Sequence, residues 1–192
     1  NNLDEASFQA LDNAFAQHLV LCIRDQSLTP SDLVGITDRL GGPGETPYLT
    51  GLEEYPDVVP VIKEANESSP HTFGAGWHTD FTFQATPPAK TLLYAVDTPA
   101  AGGDTLYANM YAAYDALDEP VRAMIEDMRA IHQMAMPGSF MEHSHPLVRV
   151  NPRTGRRALY LNRLFTKRIE GLAPIESQNL LEMLYTHCTL PE

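Results

Sequence analysis

The chain has 192 residues, 43% hydrophobic and 20% charged, with a formal net charge of −12. Those proportions are ordinary for a globular protein with one sizeable core, and the negative balance opposes nucleic-acid backbone binding, which needs basic stripes. No apolar run is long enough to span a bilayer and no signal-peptide pattern opens the chain, so neither a nucleic-acid nor a membrane partner is expected, and the expected compartment is a reducing cytoplasm. The two cysteines, Cys22 and Cys188, lack metal-type spacing and read as buried free thiols.

In chain order, Phe8, Leu11 and Phe15 give a helical period over residues 1–17, and Leu19 to Ile23 reads as a buried strand. Thr29-Pro30-Ser31-Asp32 has a capping hydroxyl, a first-turn proline and an acid three residues on. It predicts a helix through Leu33, Ile36 and Leu40 that stops at Gly41-Gly42. Val58 to Ile62 predicts a strand with Pro60 at an edge. Three more strands are predicted around Trp77–Phe83, Thr91–Val96 and Thr105–Ala108, separated by Pro87-Pro88 and Ala101-Gly102-Gly103. Helices are predicted over Met110–Leu117 and Glu119–Met128. A hairpin is expected where Val148–Val150 and Ala158–Leu161 flank Asn151-Pro152-Arg153-Thr154-Gly155, and a last helix runs from Pro174 to about His187. This pattern favours a mainly β fold, a barrel or jelly roll with flanking helices.

The residues with the most chemical content are Trp77-His78-Thr79-Asp80. On an extended segment alternate side chains share a face, so His78 and Asp80 point together. An imidazole and a carboxylate so placed supply two of the three donors of a 2-His-1-carboxylate iron site, which leaves positions open for oxygen and a co-substrate. With seven His and 25 acids in the chain, the motif alone is weak. His78 and Asp80 would otherwise be a strand-edge pair, and Thr105 a β-branched strand residue. His132 and His187 read as partners of backbone carbonyls, and His145, before Pro146, as a structural or gating residue. Arg156, Arg157, Lys167 and Arg168 read as exposed charges.

The ordered series Gly76-Trp77-His78-Thr79-Asp80-Phe81-Thr82-Phe83, Thr86-Pro87-Pro88-Ala89 and Gly102-Gly103-Asp104-Thr105-Leu106-Tyr107 resembles the taurine dioxygenase family, which also holds the aryloxyalkanoate dioxygenases. His145-Pro146-Leu147-Val148, Asn151 to Arg156 and Leu161 to Ile169 extend the resemblance over nearly the whole chain. It implies a double-stranded β-helix (jelly roll, clavaminate synthase-like), incomplete here, and an enzyme using Fe(II), 2-oxoglutarate and O2. Such an enzyme hydroxylates a small anionic substrate, a sulfonate or an aryloxyalkanoate or other carboxylate, and converts 2-oxoglutarate to succinate and CO2. By position, His78 and Asp80 are iron ligands and Thr105 binds a 2-oxoglutarate carboxylate. Gly74, Tyr107 and Phe165 are substrate-side positions.

The resemblance further implies one catalytic domain over residues 1–192 that lacks its first strands, part of an active-site loop near 133–145, and its C-terminal strands. The third ligand, a His, and the 2-oxoglutarate Arg are then expected beyond Glu192. A homodimer or homotetramer is the implied assembly. Two departures touch substrate: residues 42–48 hold no His where taurine-type members have one, and the acidic run from Glu53 to Ser68 looks closer to the aryloxyalkanoate side. A non-catalytic jelly-roll binding protein and a metal-dependent hydrolase are the alternatives, to be separated by dependence on oxygen.

Overall fold

A computed structural model of the protein describes residues 3–64, 66–68 and 73–190. The expected helix start at Asn1, Ala65 within the acidic run, and the final Pro191-Glu192 lie outside the described residues. The chain divides into two compact units, Asn1–Ile62 with Ala89–Asp104, and Lys63–Pro88 with Thr105–Glu192.

The first unit contains helices α1 (Glu5–His18) and α2 (Pro30–Arg39). Asp4 caps α1 by accepting from the Ser7 amide at 2.7 Å, and Thr29 and Asp32 close the predicted capping box on α2. Arg39 ties the helices together, donating to the Leu3 carbonyl at 2.6 Å and to Glu5 at 3.0 Å while stacking 4.0 Å above the Phe8 ring. Neither helix contains a fully buried residue. The strands expected over 19–23, 58–62 and 91–96 do not form among the described residues. Leu19 and Asp25 adopt left-handed φ values of 68° and 58°, which break an extended chain on either side of the first apolar run. Without a ladder, those runs stay open to solvent: Ile23 is 55% and Val96 87% exposed. Cys22 is exposed, contrary to expectation, because it belongs to the same unpaired run.

The second unit holds the core. Its elements are α3 (Met110–Asp115), α4 (Glu119–Ile125), β1 (Arg129–Met136), β2 (Ser139–Pro146), β3 (Val148–Val150), β4 (Arg157–Leu159), β5 (Thr166–Ile169) and α5 (Pro174–Cys188). An antiparallel sheet runs in the order β2-β1-β5, and β3 pairs with β4 as the predicted hairpin. Ile125, Ala130, Leu147, Leu159 and Ile169 pack with Leu181 and Leu184 of α5. Removing each large apolar side chain from water contributes about 1.5–3 kcal/mol. On α5 the buried residues Ser177, Leu181, Leu184 and Tyr185 recur with helical period. Glu176 accepts from the Ala173 amide at 3.0 Å to finish the helix start. Cys188, partly buried at its end, has its thiol pushed up to about 12 by burial.

Residues 133–145, near which part of an active-site loop is expected to be lacking, run as a continuous hairpin that closes at Pro137-Gly138, where Gly138 takes φ 78°. The predicted strands over 77–83 and 105–108 carry no ladder; turns run through 80–83 instead.

Candidate metal centre

His78 and Asp80 come together without a sheet. Trp77 and Thr79 are exposed while His78 and Asp80 are half-buried, so the two-residue alternation survives in an unpaired segment. The His78 Nδ1 lies 2.7 Å from the Gly76 carbonyl, which can only accept, so Nδ1 bears the hydrogen. In the neutral ring that leaves the Nε2 lone pair for a cation, and in the protonated ring Nε2 donates to Asp80 Oδ1, 3.2 Å away. The hydrogen bond with Asp80 raises the His78 pKa, against burial, which lowers it; the Gly76 carbonyl and the Asp80 charge add to the rise.

This pair fits a divalent cation. Two donors about 2.1 Å from one ion in neighbouring octahedral positions stand about 3 Å apart, close to the distance seen between Nε2 and Oδ1. The Gly76 carbonyl performs the orienting task that outer partners perform for metal-bound histidines. Gly74 leaves room for the ring: it has φ 71°, and a Cβ there would stand 3.3 Å from His78 Cε1. Among the described residues no group of three His, Cys, Asp or Glu side chains could hold a metal, so the described residues offer a pair of donors here.

Beyond Asp80 the chain turns sharply inward. Phe81 takes the left-handed φ of 53°, and the Gln84 amide closes the turn on the Phe81 carbonyl at 2.9 Å. Thr82, Phe83 and Gln84 are all buried. Thr82 Oγ1 accepts from Asn162 Nδ2 at 3.1 Å and stands 2.9 Å from His132 Nδ1. The Phe83 ring meets Phe165 edge-on, centroids 5.0 Å apart, and His145 Nε2 donates to the Gln84 carbonyl at 2.9 Å. His145 therefore has the structural role expected of it. His132 differs from expectation: it is fully buried on hydroxyls, not on a carbonyl, and burial drives its pKa down to about 3, with help from His145, Arg149 and His143. His187 does meet a carbonyl, that of Ala113, at 2.7 Å.

The remaining sequence-predicted site residues are placed unevenly. Phe165 is buried against Phe83, whereas Tyr107 is 62% exposed. Thr105 is exposed on an irregular segment and forms no hydrogen bond with His78 or Asp80 among the described residues. Arg156 and Arg157 are exposed and ion-paired, to Asp115 at 3.4 Å and Glu126 at 2.8 Å. Lys167 and Arg168 are exposed on β5, beside a hollow of about 480 Å³ that His78 and Asp80 do not line. Sequence reasoning missed Thr82, His132 and Asn162 as supports of the turn. Only the polar threonine between two phenylalanines hinted at a buried hydrogen bond.

Comparison with known proteins shows the family. The family model for taurine catabolism dioxygenase TauD, TfdA family, matches residues 1–192. The chain is 31% identical over 215 aligned residues to the alpha-ketoglutarate-dependent sulfate ester dioxygenase of Pseudomonas putida, covering 98% of this chain and 68% of that protein. It is 29% identical to the (S)-phenoxypropionate/alpha-ketoglutarate-dioxygenase of Sphingobium herbicidovorans, covering 99% of this chain and 73% of that one. Among solved structures, a taurine dioxygenase from Burkholderia xenovorans superposes with a TM-score of 0.84 at 33% identity over 100% of this chain and 66% of its own. The chain thus spans roughly two thirds of the length of these relatives. No described helix is long and apolar enough to cross a membrane. The chain belongs to the taurine catabolism dioxygenase TauD, TfdA family, whose members are alpha-ketoglutarate-dependent dioxygenases.

Proposed function

We propose that the protein is an Fe(II)- and 2-oxoglutarate-dependent dioxygenase that hydroxylates a small anionic organic compound, with His78 and Asp80 as two of the iron ligands. The observation behind this reading is the pairing of His78 Nε2 with Asp80 Oδ1 at 3.2 Å, with Nδ1 already committed to the Gly76 carbonyl. Bound iron would supply the redox chemistry by which O2 oxidises 2-oxoglutarate to succinate and CO2 and oxygenates the substrate. The protein's own work is to hold two donors in adjacent positions and fix the imidazole tautomer.

Further roles rest on position in the family. Thr105, on the segment after Gly102-Gly103, is the proposed hydroxyl partner of a 2-oxoglutarate carboxylate, and Gly74, Tyr107 and Phe165 the proposed substrate-side residues. The jelly roll, a homodimer or homotetramer, and a cytoplasmic location belong to the same proposal. Relatives named for sulfate esters, sulfonates and phenoxypropionate support an anionic group next to the carbon that is oxidised. Hydroxylation of the carbon next to a sulfonate sulfur, a sulfate-ester oxygen or an aryl ether oxygen gives a product that collapses to a carbonyl compound with release of sulfite, sulfate or a phenol.

The test is succinate formation from 2-oxoglutarate with a panel of sulfonates, alkyl sulfate esters and aryloxyalkanoates, in air and under argon. Turnover that needs both iron and oxygen, and disappears in His78→Ala, is the expected result. Substrate cleavage that continues under argon would mean a metal-dependent hydrolase, and metal binding without turnover across the panel would favour a non-catalytic binding protein.

A further inference from the structure

We propose that Thr82 and His132 are positioning residues for the metal-binding pair: their buried hydrogen bond fixes the turn from which Asp80 projects. The inference rests on the iron-site reading of His78 and Asp80.

Asp80 is half-buried and sits at the edge of an unpaired segment, so no ladder holds it in place. The turn on its C-terminal side is held at three successive residues. Thr82 is bound by His132 at 2.9 Å and Asn162 at 3.1 Å, Phe83 is packed edge-on against Phe165, and the Gln84 carbonyl accepts from His145 at 2.9 Å. Thr82 is 1% and His132 0% exposed, so neither hydrogen-bonding group has water as a substitute. Two residues of chain reach at most about 7 Å, so the anchor at Thr82 leaves Asp80 little freedom.

The conformation between them needs such an anchor. A phenylalanine in the left-handed region at Phe81 costs about 1–2 kcal/mol and persists only where its surroundings over-determine it. The hydrogen-bond set is shared among four side chains. Thr82 Oγ1 already receives a hydrogen from Asn162 Nδ2, and Thr166 Oγ1 receives one from the Asn162 amide at 2.9 Å. Both hydroxyls lie within reach of His132 Nδ1, at 2.9 and 3.2 Å, and each has its own hydrogen left to give. Asn162 and His132 thus clamp Thr82 between them. The His132 ring is held deep in the core through Nδ1 alone, its Nε2 being buried without a hydrogen-bond partner.

Thr82→Val keeps the side-chain shape and removes the hydroxyl; Thr82→Ser keeps the hydroxyl. Mn(II) serves as the probe metal, titrated by electron paramagnetic resonance, alongside amide hydrogen exchange over residues 76–84 and urea denaturation. The expected result for Thr82→Val is about tenfold weaker Mn(II) binding and faster exchange confined to residues 76–84. Thr82→Ser should stay close to the parent protein in both. If the valine variant does not fold, Thr82→Ala gives the same comparison. A folded Thr82→Val or Thr82→Ala protein with unchanged Mn(II) affinity and unchanged exchange would overturn the proposal. Parent protein whose Mn(II) binding is indifferent to Asp80→Asn would instead defeat the iron-site reading itself, so the two failures are distinguishable.

Discussion

His78 and His132 are the same side chain in opposite circumstances, about fifty residues apart. His78 keeps a quarter of its side chain in solvent and faces a carboxylate; His132 has no exposure and faces two threonine hydroxyls. The first has its pKa raised, chiefly by the hydrogen bond with Asp80, and the second falls to about 3, chiefly through desolvation. Partner chemistry sets the shift of His78, and depth sets that of His132. A carboxylate prepares an imidazole to share a cation, whereas burial, with imidazoles and an arginine nearby, keeps one neutral and structural.

The largest effects should come from exchanging these roles. Asp80→Ala removes an anionic donor from an accessible position, so Mn(II) or Fe(II) affinity should fall by more than about 100-fold. The urea midpoint should hardly move, because the side chain is partly exposed and buries no core surface. His132→Ala should do the reverse. Loss of a fully buried ring and its hydrogen bonds should cost about 2–4 kcal/mol of unfolding free energy, with only about tenfold loss in metal affinity, through the slackened turn. Equal stability losses in the two variants would erase the distinction between them.

Acid sharpens the same contrast. His132 is held neutral in the folded protein down to about pH 3, while the unfolded chain protonates it near its ordinary value of 6.5. Between those limits the unfolded state binds the extra proton, so His132's contribution is complete above about pH 6.5 and is lost as pH falls. The slope is at most about 1.4 kcal/mol per pH unit. His145, also depressed by burial, acts in the same direction. His78 acts oppositely: its raised pKa favours the folded apo-protein in acid, and that gain is lost as pH rises through the raised value. Solvent screening at this partly exposed pair keeps the opposing slope small. Urea midpoints of metal-free protein at pH 7 and pH 5 should therefore fall toward acid, and His132→Ala should flatten the fall.

Local chemistry explains which parts of this were legible in sequence. The α2 capping box, the β3–β4 hairpin around Asn151 to Gly155 and the α5 period are set by residues adjacent in the chain, and all three appear as expected. The His78–Asp80 pairing survived even though its strand did not, because alternation needs an extended chain and not a ladder partner. Strands β1 and β2 were hidden. The burial of β1 is consecutive at Ala130, Ile131 and His132 instead of alternating, and β2 fills its inward positions with histidine and serine instead of aliphatic residues. Pro137-Gly138 was their one local signal. The apolar runs of the first unit failed for the converse reason: apolar sequence asks for burial, but tertiary partners decide whether it is granted.

The smallest expected effect tests the space around His78. Gly74 adopts φ 71°, and an added methyl would meet His78 Cε1 at 3.3 Å, tight enough that the ring must tilt by a few tenths of an ångström. Gly74→Ala should cost about 1 kcal/mol through the backbone alone, and loosen Mn(II) binding by about fivefold as the tilt moves Nε2 away from Asp80. Gly76→Ala is the matched control, because an added Cβ there meets nothing within 4 Å and the carbonyl that accepts from Nδ1 is kept. Calorimetric Mn(II) titrations of the two variants decide the point: equal affinities would mean that the imidazole is positioned by its Gly76 and Asp80 partners alone, with no part played by the room that Gly74 leaves.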